Sequence, residues 1–144
     1  MRKAFFMAVY ILCLAIIAPA QENIDGTILV GNTQREYSLH LPKNYKSGRA
    51  LPLVMVFHGG GGNHKQIQRY MGMDSIADKE NFITVYPNGI NKQWNDGREF
   101  NKSISANDDV PFINQLLDTL VKNYAVDSSR IFATGISNGG FFSI

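Results

Sequence analysis

Leu51-Pro-Leu-Val-Met-Val-Phe57 is an apolar run without a single polar side chain, and it leads straight into His58-Gly59-Gly60-Gly61-Gly62. A β-prone segment with no polar face must be covered on both sides, which is the pattern of a strand in a parallel sheet. Such sheets are built from strand–helix–strand units, and the rest of the chain supplies them. Phe82-Ile-Thr-Val-Tyr86 reads as a second strand, closed by the turn Pro87-Asn88-Gly89; Ile131-Phe-Ala133 reads as a third, linked to what precedes it by Asp127-Ser-Ser-Arg130. Between the first two, Met73 to Asn81 reads as a helix with Asp74 as N-cap and Ile76 and Ala77 facing inward. Before the third, Val110, Ile113, Leu116, Leu117, Leu120, Val121 and Tyr124 form an apolar stripe at helical spacing. Asn107 or Asp108 caps that helix, and Pro111 sits in its first turn. Upstream, Thr27–Val30 and Arg35–Leu41 flank Gly31-Asn32 as an antiparallel hairpin at a sheet edge, with His40 facing solvent and residues 21–26 a loose leader. The fold class is therefore α/β: a mostly parallel sheet with flanking helices.

One motif carries chemistry. Gly135-Ile-Ser137-Asn-Gly139 follows a β-prone run and precedes Phe141, Phe142 and Ile144. Gly-x-Ser-x-Gly is the pattern of a nucleophile elbow, a sharp strand-to-helix turn with the serine at its tip. Ser137 is the candidate nucleophile. The glycine loop after Phe57 lies where such folds place half of an oxyanion hole, so the N–H groups of Gly60 and Asn138 are the expected oxyanion donors. Read as a phosphate loop it lacks both Gly-Lys-Ser/Thr and Gly-x-Gly-x-x-Gly. The three histidines, His40, His58 and His64, all precede Ser137. His58 is expected to fix the glycine loop and His64 to lie at the surface. In this kind of fold the acid and the histidine follow the serine, and residues 138–144 contain neither. Asp108 and Asp109 read as helix capping. Trp94, the only tryptophan, lies in the polar stretch 91–105 and is either a substrate platform or simple packing. No cofactor and no metal are expected.

Arg2 and Lys3, the apolar stretch Ala4–Ala18 and the Ala18-Pro19-Ala20 site read as a secretory signal peptide over residues 1–20. The stretch is short for a membrane span. Losing Arg2 and Lys3 takes Lys+Arg from 14 to 12 against 12 acids, so the mature chain is neutral and nothing points to nucleic acid. The single cysteine, Cys13, leaves too, so no disulfide staples the exported protein.

Taken in order, the strand into His58-Gly59-Gly60-Gly61-Gly62-Asn63, the segment Phe82–Gly89, the loop Trp94-Asn95-Asp96-Gly97-Arg98, Asn107-Asp108-Asp109-Val110 and Gly135–Gly140 resemble secreted esterases of the polyhydroxybutyrate depolymerase and feruloyl esterase group. The resemblance implies an α/β-hydrolase that cleaves carboxylic esters outside the cytoplasm by an acyl-enzyme mechanism. Its substrates would be small esters, feruloylated polysaccharide or hydroxyalkanoate polyester. It assigns residues 21–34 to a leader and first edge strand and residues 35–144 to the N-terminal half of the family's domain. Members often carry cysteines after the Trp-Asn segment, and this chain has none there. Two readings follow: a secreted serine esterase seen as a partial sequence, or a truncated, catalytically incompetent remnant that acts at most as a ligand-binding or non-functional product. In either, the 144-residue chain alone is expected to fold poorly, because its last strand would present an open apolar edge.

Overall fold

A computed structural model describes residues 22–98 and 109–144. The expected signal peptide and the helix caps at Asn107 and Asp108 lie outside the described residues.

Five strands form one sheet in the order β1-β2-β4-β3-β5. They are β1 (Glu22–Val30), β2 (Thr33–Leu41), β3 (Leu51–Phe57), β4 (Ile83–Pro87) and β5 (Val126–Gly135). β1, β2 and β4 pair antiparallel, while β3 pairs parallel with both β4 and β5. The apolar run 51–57 is thus flanked by a parallel strand on each side. Its side chains alternate between two cores. Leu53, Met55 and Phe57 join one with Phe112, Leu116 and Leu120 of α3 (Asp109–Asn123). Val56 and the partly buried Val54 join the other with Tyr86 and with Ile67 of α1 (His64–Met71). Helices on both faces explain why β3 needs no polar side. α2 (Met73–Glu80) accompanies α1, and the short α4 (Asn138–Phe142) follows β5.

The structure corrects several expectations. β1 begins at Glu22, so most of the supposed leader is a paired strand running from Glu22 opposite Leu41 to Val30 opposite Thr33. β2 is consequently an interior strand. His40 is fully buried, its Nδ1 beside Asn23 Oδ1 (2.9 Å) and its Nε2 beside Asp78 Oδ1 (3.1 Å). Helix α1 was not expected at all, since Ile67 is its only buried residue. Its ends are nonetheless conventional: the Asn63 side chain accepts from Gln66 N–H, and Gly72 closes the helix at φ 59°. α2 starts after Gly72, so Asp74 lies in its first turn instead of capping it. There its carboxylate accepts from Tyr86 Oη (2.5 Å) and Thr84 Oγ1 (3.0 Å). Ala77 of α2 is buried, but Ile76 is exposed. On α3 the buried line is Phe112, Leu116 and Leu120, and Val110 and Val121 are exposed. Asp109 sets that rotation: it is buried and bonded to Arg35, whose guanidinium lies 4.1 Å from the centre of the Phe112 ring. β5 already begins at Val126. Its polar start is accommodated by a register shift, with Asp127 accepting from Ser129 and Arg130 within the bulge.

Candidate functional site

β3 and β5 are adjacent and parallel, so the segments leaving their C-terminal ends meet. Phe57 pairs with Gly135, the last residues of their strands. The glycine loop then leaves β3, and the Ile136-Ser137 turn leaves β5 into α4. Ile136 N–H donates to Phe57 O at 3.2 Å, fastening one loop to the other.

Ser137 takes φ 51° and ψ −119°, a conformation that non-glycine residues adopt only under constraint. Gly135 and Gly139 supply that constraint. A Cβ at Gly135 would come within 2.6 Å of the Gly139 carbonyl, and one at Gly139 within 2.6 Å of Phe57 O. Only glycines let the turn close on itself and press against the end of β3. Ser137 itself is exposed, and its hydroxyl has no hydrogen-bond partner among the described residues.

The loop from Gly59 to Gly62 packs directly alongside. A Cβ placed on Gly59 would lie 3.6 Å from Ser137 Cβ. The loop is held in shape by Gly62 N–H to Gly59 O (3.0 Å) and Gly61 N–H to Lys92 O (2.8 Å). Among the described residues, the N–H of Gly60 and the N–H of Asn138 have no acceptor.

His58 anchors the loop from within. Its Nε2 accepts from Gly89 N–H at 2.9 Å, so the ring proton is on Nδ1, which donates to Gly59 O at 2.8 Å. Burial lowers its pKa below the usual histidine value, keeping the ring neutral. With both nitrogens occupied, it has none to offer Ser137. His64 is part-buried, with Nδ1 2.8 Å from Ser38 Oγ, and burial lowers its pKa as well.

Trp94 is fully buried, so of its two expected roles the geometry matches packing. It stacks on Phe142 (5.0 Å between centroids) and meets Phe57 edge-on (5.2 Å). Its Nε1–H donates to His58 O at 3.0 Å. Asn138 then grips the Trp94 backbone and donates to Asp96 at 2.7 Å. Arg98, which also bonds Asp96, and Asn138 hold the Asp96 carboxyl at a pKa of about 2. Sequence reasoning missed this clamp. The signal was an amide side chain directly after the expected nucleophile and a tryptophan among turn formers, neither of which specifies a partner. Asp109, expected as a cap, is also drawn in, accepting from Asn95 N–H at 2.8 Å.

A cavity of about 520 Å³ adjoins the turn on the α1 side. Gly59, Ile67 and Ile136 line it, with Gln66, Arg69 and Tyr70 of α1. Among the described residues no group of acids, histidines or cysteines could hold a metal ion, and no helix is long and apolar enough to cross a membrane.

A family model, Esterase, described as "Putative esterase", matches residues 30–144. The chain is 36% identical over 116 residues to "Probable feruloyl esterase C" of Aspergillus clavatus, covering 76% of this chain and 39% of that protein. It is 31% identical over 115 residues to feruloyl esterase C of Emericella nidulans, again covering 76% and 39%. Among solved structures, a ferulic acid esterase superposes with a TM-score of 0.68 at 20% identity, covering 85% of this chain and 52% of that one. The chain therefore spans about two fifths of the length of these sequence relatives, and the structural match shows an α/β-hydrolase fold.

Proposed function

The chain belongs to the Esterase family, and from that premise we propose that it is the nucleophile-bearing part of a secreted serine hydrolase that cleaves carboxylic esters through an acyl-enzyme. The observation that carries this reading is the exposed, strained Ser137 packed against the glycine loop, with unpartnered N–H groups on Asn138, next in sequence, and on Gly60 of that loop. Ser137 Oγ attacks the ester carbonyl. The carbonyl oxygen gains negative charge and is received by the N–H groups of Asn138 and Gly60. Each such donor lowers a barrier by about 3 kcal/mol in comparable sites. The alcohol leaves, and water then releases the acid from Ser137.

Ser137 needs a base to take its proton, and His58 and His64 are engaged elsewhere. The relatives are longer than this chain, and the fold's chain order of serine, acid, histidine puts the base in that further length. Export is supported by Arg2, Lys3 and the apolar stretch to Ala18-Pro19-Ala20. Feruloylated polysaccharide is the first substrate to try, given the names of the relatives. Hydroxyalkanoate polyester presents the same reacting group.

The test is hydrolysis of a short-chain aryl ester by the full-length protein and by its Ser137→Ala variant. Loss of at least about a thousandfold in kcat is expected; equal rates would refute the assignment of the nucleophile.

A further inference from the structure

The cavity beside Ser137 is built for more than an apolar group. Its floor is Ile67 and Ile136. Its wall is α1, where Gln66, Arg69 and Tyr70 stand at i, i+3 and i+4 and so share one helix face. All three are exposed. None of the residues lining the cavity is acidic, and among the described residues Arg69 has no carboxylate partner. Every other arginine of the described residues has an assigned acid: Arg35 with Asp109, Arg98 with Asp96, Arg130 with Asp127, Arg49 excepted. Arg49 lies in the polar loop between β2 and β3, away from this cavity. Besides Arg69 and Tyr70, the titratable group lining the cavity is His58, whose ring is neutral because its Nε2 accepts from Gly89 N–H.

Resting on the esterase reading, we propose that this cavity selects esters bearing a second, ionised carboxylate, which Arg69 pairs while Gln66 and Tyr70 donate hydrogen bonds. A guanidinium bordering an open, largely apolar cavity suits a planar, doubly accepting carboxylate. Gly59 and Ile136 are shared between cavity and turn, so the carboxylate and the reacting carbonyl belong to one small molecule or to neighbouring units of one polymer. The carboxylate reaches the cavity either on the acyl side, as in the hemi-ester of a dicarboxylic acid, or on the alcohol side, as in an acylated uronate sugar.

Binding tests this without relying on turnover. The full-length Ser137→Ala protein is titrated with 4-nitrophenyl hydrogen glutarate against the neutral valerate ester, and with an acetylated methyl glucuronoside against the matching glucoside. A preference of about fivefold or more for the anion in one arm is expected, falling with salt and lost in the Ser137→Ala, Arg69→Gln double variant. The arm that discriminates names the side. Equal affinity for charged and neutral esters in both arms, or a preference that survives Arg69→Gln, overturns the proposal. Arg69→Lys, retaining the charge without the fork, should keep part of the preference and controls for folding. Hydrolysis of the neutral ester by the wild-type protein reads the esterase assignment separately: its absence with anion selectivity intact would sink that assignment alone.

Discussion

Asn138 holds the backbone of Trp94 at both ends: its Oδ1 accepts from Trp94 N–H at 2.8 Å and its Nδ2 donates to Trp94 O at 3.0 Å. The same residue offers its own backbone N–H, unpartnered, next to Ser137. Trp94 in turn donates to the carbonyl of His58, which precedes the glycine loop. One amide side chain thereby ties the two proposed oxyanion donors to a common buried anchor.

Replacing Asn138 with Ala leaves both Trp94 backbone groups buried without partners. Each costs about 1–3 kcal/mol, so a loss of stability of about 2–6 kcal/mol is expected. Thermal and urea unfolding of the full-length variant measure it. Because the amide also orients the turn, kcat should fall further than KM rises. A variant that melts like the wild type would show that the clamp carries no weight.

Trp94→Phe keeps a ring that can stack on Phe142 but deletes the Nε1–H that satisfies His58 O. The expected cost is about 1–3 kcal/mol from the orphaned carbonyl, plus a share for lost packing. Because the substitution removes the fluorescence of Trp94 itself, circular dichroism is the measurement.

Much of this fold was legible in the sequence, and the reasons for the rest are specific. Strand β3 announced itself because it is buried on both faces, and the Ser137 turn because its glycines are required sterically. Helix α1 hid because only Ile67 of its eight residues is buried, leaving no stripe to count. Residues 22–26 hid because an edge strand paired on one side tolerates Asn, Asp and Gly. His40 was misplaced because its burial depends on Asn23 and Asp78, partners distant in sequence. The Trp94–Asn138 clamp spans 44 residues, and no local pattern encodes such a pairing.

Two histidines whose pKa burial lowers set a pH dependence. Burial depresses the pKa of both His58 and His64, so below about pH 6.5 the unfolded chain binds protons that the folded one refuses. Their contribution is fully present above that pH and is lost as pH falls through the depressed folded values. Urea midpoints at pH 7.5, 6.5 and 5.5 should therefore decrease in that order. His58→Gln, with no titratable ring, should flatten the trend while lowering stability throughout. A midpoint that rises on acidification would contradict the depression of these pKa values by burial.

Gly139→Ala tests the turn. A methyl there would enter within 2.6 Å of Phe57 O, backbone that cannot swing aside. Overpacking of this kind costs about 1–3 kcal/mol and sometimes more. The relief available is withdrawal of α4 from β3, which would move Ser137 away from Gly59. Activity on an aryl ester should consequently fall by more than stability alone accounts for, measured at a temperature where the variant is fully folded. Full activity in a folded Gly139→Ala protein would show that close approach of the two loops is not needed.

Arg35 and Asp109 form a further long-range tie, at 2.6 Å and buried on both sides. It joins β2 to the start of α3 and, through Asn95 N–H and Asn88 O, to the segments around Trp94. Asp109→Ala leaves Arg35 charged in the core and removes the bond from Asn95 N–H. Breaking such a pair costs about 3–5 kcal/mol. Arg35→Met alone should cost a similar amount, since Asp109 is then the unpaired charge. The double variant Arg35→Met, Asp109→Leu removes both charges and should recover most of the pair's share. Recovery will be incomplete, because Asn95 N–H and Asn88 O each still lack a bond they had. A double variant as unstable as the sum of the singles would mean the two side chains act independently, contrary to their contact.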